Sequence, residues 1–189
     1  MINKEDYEYL RTLYGGYSSW MVWEEPLEGK PKSNIEKMDP FKSSTIRKEL
    51  RTEYVFVGLN ASRKLEGDWQ NFHSASRYQN DYKLRYAFNH SRFLGSYITD
   101  VIKGIENPNS GQIMKKVSSG EIKIEEHIKA LEDEIRVLRP KYIISIGKDA
   151  DKLLKKHTDN RNIVNIPHYA IYVSKEQYKS MCERILTNI

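Results

Sequence analysis

The chain has 189 residues, enough for one domain with a single sizeable core, and its net charge of +5 permits a polyanion partner without demanding one. No apolar run approaches the ~20 residues that a membrane span needs, and the acidic, polar residues 1–8 are unlike a secretory leader. The lone cysteine, Cys182, excludes a disulfide framework or a cluster held by several thiolates, so a reducing, cytoplasmic setting is expected.

In chain order, Tyr7, Leu10 and Tyr14 recur at helical spacing, and Gly15-Gly16 stop that helix. Trp20, Val22 and Trp23 follow at a two-residue rhythm, as in a short extended segment. Residues 24–34 hold two prolines, a glycine and several charges and read as a surface loop. Residues 44–51 read as a short helix feeding the first core strand. Val55-Phe56-Val57 then form a strand buried on both faces. Gly58 ends it, and a polar turn carries Asn60, Ser62 and Arg63. In an open α/β sheet, ligands bind past the carboxyl ends of strands. Gly58 would let the backbone approach a ligand, Asn60 offers donors and an acceptor, Ser62 a hydroxyl and Arg63 a fixed positive fork. A plain strand-to-loop exit with solvated polar groups is the competing reading.

The loop at residues 67–74 carries Trp69, Phe72 and His73, and it can fold back over the same turn or plug the core. Residues 82–89 read as a helix and Ser96 to Ile102 as the second strand, with Asp100 near its end. Residues 107–111 read as a loop. Ile124, Ile128, Leu131, Ile135 and Leu138 fall at spacings of three and four, an amphipathic helix ended by Arg139-Pro140. Residues 142–147 give the third strand. Ala150, Leu153 and Leu154 face inward from the next helix, and residues 162–166 give the fourth strand. Ser174 and Gln177 make a capping box for a last helix whose inward face is Tyr178, Met181, Ile185 and Leu186. This alternation predicts a parallel sheet of four strands with helices on both faces. One domain is expected over 1–189, with residues 1–50 as an extension to a core at 51–189. There is no glycine-rich phosphate loop, and no His, Cys, Asp and Glu set has metal-ligand spacing, so neither cofactor nor metal is expected.

The order of three pieces resembles the uracil-DNA glycosylase superfamily, nearest its mismatch-specific and compact branches. They are Gly58-Leu59-Asn60-Ala61-Ser62, then the stretch from Tyr97 through Asp100 to Gly147-Lys148-Asp149-Ala150, then His168 in Ile166-Pro167-His168-Tyr169-Ala170. The resemblance spans about residues 54–175. It implies a three-layer α/β/α fold around a four-stranded parallel sheet, and a DNA glycosylase acting on a deaminated or damaged base. It also implies roles. Asn60 would orient a water and His168 would donate to the departing base. Gly58, Leu59, Phe72 and Asp100 would meet that base. Ser62, Arg63 and Lys64 would hold phosphates, and Tyr169, Ile171 or Tyr172 would wedge into the duplex. The chain departs from the pattern at three points. The first motif has neither its aspartate nor its proline, with Ala61 in the latter's place. The second has no Pro-Ser after its histidine. Asp100 stands where the compact branches carry asparagine. A protein of the same fold that binds nucleic acid or a nucleobase without cleaving it is therefore the alternative. An unrelated α/β enzyme with a small-molecule substrate is a third reading.

Overall fold

The buried apolar run at residues 54–57 extends into a ten-residue strand, β2 (Arg51–Asn60), at the centre of the sheet. The computed structural model describes residues 1–159 and 162–189. Among them β2 pairs in parallel with β3 (Ser96–Ile102) and β4 (Tyr142–Ile146), and β4 pairs in parallel with β5 (Ile163–Ile166). These are the four expected strands. The sheet nevertheless has five: β1 (Ser19–Trp20) adds to the outer edge of β3, antiparallel, giving the order β1-β3-β2-β4-β5. The Trp20–Tyr97 pair explains the addition. The two residues are register partners, and their rings meet edge to face at 4.9 Å in the dry interior.

Side chains on β2 alternate between two cores, as a pleat of period two requires. Val55, Val57 and Leu59 join Leu10 of α1 (Lys4–Tyr14), Ile128 and Leu131 of α4 (Ile124–Leu138) and Leu153 of α5 (Lys148–His157). Phe56 joins Leu84 and Phe88 of α2 (Tyr82–Phe88) and Tyr178 and Leu186 of α6 (Lys175–Leu186). Residues of the first fifty enter both cores: Ile2, Tyr7 and Trp20 in one, Met21, Trp23 and Ile35 in the other. No helix among the described residues is long and apolar enough to cross a membrane.

Five local expectations need correction. Gly58, expected to end the first strand, lies inside β2, which runs on to Asn60. Residues 44–51 hold only a 3-10 turn, Ile46–Lys48, and β2 begins at once, at Arg51. The extended segment near Trp20 is a strand only at Ser19–Trp20, not through Trp23. The loop expected to end at residue 111 gives way to a helix, α3 (Ser110–Ser118), whose Asn109 side chain accepts from the Gln112 amide. In α6 the buried face is Tyr178, Cys182 and Leu186, a strict i, i+4 row, while Ile185 is exposed.

A buried charge cluster ties α4 to β3. Glu134 is fully buried, and its Oε1 accepts from the Tyr97 hydroxyl at 2.7 Å and the Thr99 hydroxyl at 3.0 Å. The Lys103 ammonium closes an ion pair on Oε2 at 2.6 Å.

Candidate functional site

Gly58 and Asp100 are register partners on adjacent parallel strands. A Cβ at Gly58 would lie 2.3 Å from Asp100 Oδ1 and 3.2 Å from Phe72 Cζ. The room left by the missing side chain is thus filled by the Asp100 carboxyl and the Phe72 ring, not by an approaching ligand. Beside them, past the carboxyl ends of β2–β5, opens a cavity of about 380 Å³. Of the residues named from sequence, Gly58, Leu59, Asn60, Ser62, Arg63, Phe72, Asp100, His168 and Tyr169 all line it. Lys64 and Ile171 do not. Lys64 is exposed outside it, and Ile171 packs on the α2–α6 core and accepts from Lys83 Nζ at 2.9 Å.

Asn60 sits at the last position of β2. Its Nδ2 donates to the carbonyls of Ala61, Ile105 and Asn107 at 2.8, 3.1 and 2.9 Å. The amide orientation is therefore fixed, and Oδ1 is the atom left to accept a hydrogen bond. His168 follows β5. Its Nδ1 accepts from the Ala170 N–H at 3.1 Å, which puts the ring proton on Nε2. Burial holds the imidazole pKa below its ordinary value, so the neutral Nε2–H form is favoured. His168 comes close because residue 147 is glycine. Gly147 has φ of +87°, and a Cβ there would meet His168 Cβ at 3.1 Å.

Phe72 is held by strain and by the N-terminal segment together. Trp69 and Phe72 both have φ of +62°, a left-handed conformation that costs an L-residue about 1–2 kcal/mol. Anchors from residues 7–23 offset this. The Trp69 amide donates to Gly15 O at 2.8 Å, and its indole N–H donates to the Tyr7 hydroxyl at 3.1 Å. The Ser19 hydroxyl donates to Trp69 O at 2.6 Å, and the Trp23 indole N–H to Phe72 O at 3.3 Å. His73, one residue on, is buried behind this loop, not on the cavity. Its Nε2 lies 2.9 Å from Ser19 Oγ, a Ser–His pair with no access for a substrate.

Two contributors escaped the sequence reading. Asn71 donates from Nδ2 to Asp100 Oδ2 at 2.7 Å and to Tyr17 O at 2.8 Å. Its place beside Phe72 was the available signal. Asp81 lines the cavity, is 4% exposed, and accepts the Ser74 amide on Oδ2 at 2.9 Å. Nothing local marks it, because it precedes α2 as an ordinary helix-start aspartate would. Tyr169, named from sequence as a wedge, instead packs against the core, stacks on His168 at 4.4 Å and acts electrostatically on Asp81. Burial raises both carboxyls, Asp100 to about 7 and Asp81 to about 6. At the mouth, Tyr78 lines the rim and is largely exposed, whereas Tyr172, also named from sequence, is fully exposed and does not line the cavity.

The cavity can therefore offer an oriented acceptor, a neutral N–H donor, two aromatic rings and two carboxyls that titrate well above the usual carboxylate range. No protein-family model matches this chain, and a search of curated proteins finds no match either.

Proposed function

We propose that this cavity receives a nucleobase extruded from DNA and that the protein is a DNA glycosylase of the uracil-DNA glycosylase type, with that superfamily's three-layer α/β/α arrangement. One observation carries the reading. Asn60 and His168, picked out at the ends of two non-adjacent strands, line one cavity, and each has a fixed hydrogen-bonding state. Extrusion exposes C1′ of the sugar to water, which adds there as the C1′–N bond breaks. Asn60 Oδ1 orients that water, and His168 Nε2–H donates to the base as it takes up the bonding pair. Phe72 stacks on the base. Ser62, Arg63 and Lys64 would hold phosphates, and Tyr172, being fully exposed, would be the wedge into the duplex. No carboxylate stands at the first motif to activate the water, which favours slow turnover. The same absence supports the alternative, a base-binding protein without hydrolysis.

The test is an excision assay on single- and double-stranded oligonucleotides carrying uracil, hypoxanthine, xanthine or mismatched thymine, scored as alkali-labile sites. Cleavage lost in both Asn60→Ala and His168→Ala is the expected result. DNA binding with no cleavage of any substrate would replace the enzyme with the binding protein. Absence of salt-dependent DNA binding would remove the glycosylase and leave, of the alternative, only a binder of free nucleobases.

A further inference from the structure

The cations around the cavity donate to backbone carbonyls or pair elsewhere. Arg63 and Lys32 act on Asp81, and Lys103 on Asp100, through space, but none forms an ion pair with the two acids. Arg63 donates to the carbonyls of Lys64 and Gln70 at 3.1 and 3.2 Å. Lys32 donates to the carbonyls of Ser76, Arg77 and Gln79 at 3.2, 2.8 and 2.6 Å. Lys83 donates to Ile171 O, and Lys103 pairs with Glu134 while donating to the backbone carbonyl of Asp100 at 2.8 Å. Among the described residues neither Asp81 nor Asp100 has an ion-pair partner. Asp100 is 3% exposed, and its Oδ1, leaning over Gly58, has no hydrogen-bond donor among them. A buried carboxyl without a counter-ion is costly, and a bound cation would relieve that cost. The rings of Phe72 and Tyr169, edge to face at 6.2 Å, stand beside the acids and add faces that attract positive charge.

From this arrangement we infer that the site selects a positively charged aromatic heterocycle, of which an N-alkylated nucleobase is the matching class, over neutral bases of the same size. The inference rests on the base-pocket reading above and names its ligand class. Burial also leaves both acids protonated more readily than usual, so a cationic ligand would expel protons as it binds.

Two isomers provide the test: 1-methyladenosine, positively charged at neutral pH, and N6-methyladenosine, which is neutral. Calorimetric titration of the whole protein with each should show the cation binding roughly tenfold or more tightly, the scale of one charge-assisted hydrogen bond. Asp100→Asn and Asp81→Asn should each shrink that ratio, and the double variant should bring it near one while N6-methyladenosine still binds. Equal affinity for the isomers, preference for the neutral one, or binding of neither overturns the inference. So does a preference that survives the double variant. The excision assay separates the two proposals. Uracil release without cation preference leaves the glycosylase and removes this inference. Cation preference with no base excised, from oligonucleotides that also carry 1-methyladenine, does the reverse.

Discussion

Replacing Asp100 by asparagine should change how stability depends on pH, and the structure sets the size of the change. The carboxyl is buried, receives one hydrogen bond from Asn71, and titrates at about 7 against an ordinary 3.8. Below 3.8 both folded and unfolded chains hold the proton, and the group costs nothing. As pH rises, the unfolded chain releases its proton first, so folding loses ground, until the folded state also ionises near 7. At about 1.36 kcal/mol per unit, a shift of about three units removes about 4 kcal/mol across that window. That is a large share of a typical stability of about 5–15 kcal/mol. An asparagine side chain at this position has no proton to release. Urea unfolding followed by circular dichroism, from about pH 4 to about pH 8, should therefore show Asp100→Asn gaining on the wild type by up to that amount. The charged groups acting on Asp100 are Lys103, Glu134, Asp81 and Tyr169, and all persist in the variant. Asp81 shares the sign of the effect and is common to both proteins. His73 has the opposite sign. Burial lowers its pKa to about 4, so folding loses ground as pH falls below 6.5. The His73 contribution cancels in the difference, and that of Asp81 does so apart from its repulsion with Asp100. A difference that stays flat across the range would refute the picture of a desolvated, uncompensated carboxyl at this site.

Two further outcomes follow from packing. Gly58→Ala drives a methyl against the Asp100 carboxyl and the Phe72 ring, an overpacking cost of about 1–3 kcal/mol. Calorimetry should read a fall in Tm of about 3–10 °C, and an unchanged Tm would mean that Asp100 swings aside freely. Lys103→Met strands Glu134 without its cation and should cost about 3–5 kcal/mol in urea unfolding. Adding Glu134→Gln, which keeps an acceptor for Tyr97 and Thr99, should restore much of that loss. A single variant as stable as the wild type would count against the pair.

The parts legible in the sequence are those with a repeating physical signal. β3 and β4 show as apolar runs, α4 as a three-four spacing stopped by Pro140, and α6 as a capping box. The place of Asn60 and His168 on one cavity is legible because polar residues at or just past strand ends mark the mouth of such a sheet. What stays hidden depends on partners distant in sequence. Ser19–Trp20 becomes a strand only because the edge of β3, nearly eighty residues later, offers hydrogen bonds and the Tyr97 ring. Asp81 and Asn71 become site residues only through Tyr169 and Asp100. Glu134 sits on the apolar face of α4, where a period count expects no charge, because Lys103 lies opposite. The start of α3 is hidden because Asn109, Ser110 and Gly111 all favour loops, and only the bond to the Gln112 amide makes Asn109 a cap. In α6 the apolar character of Ile185 suggests a core residue, yet the turn places Cys182 there instead.

The docking of residues 7–23 onto the Phe72 loop has a kinetic meaning. Tyr7, Tyr17, Ser19 and Trp23 grip partners about fifty to sixty residues away. β1 itself waits for β3. Such closures are slow steps, because chain entropy is lost before contacts compensate. The parallel strands alone would therefore leave the two left-handed aromatic residues free to relax. The cavity wall at Phe72 is complete only when residues 7–23 are docked on the edge of β3, so loosening that distant segment would loosen the cavity.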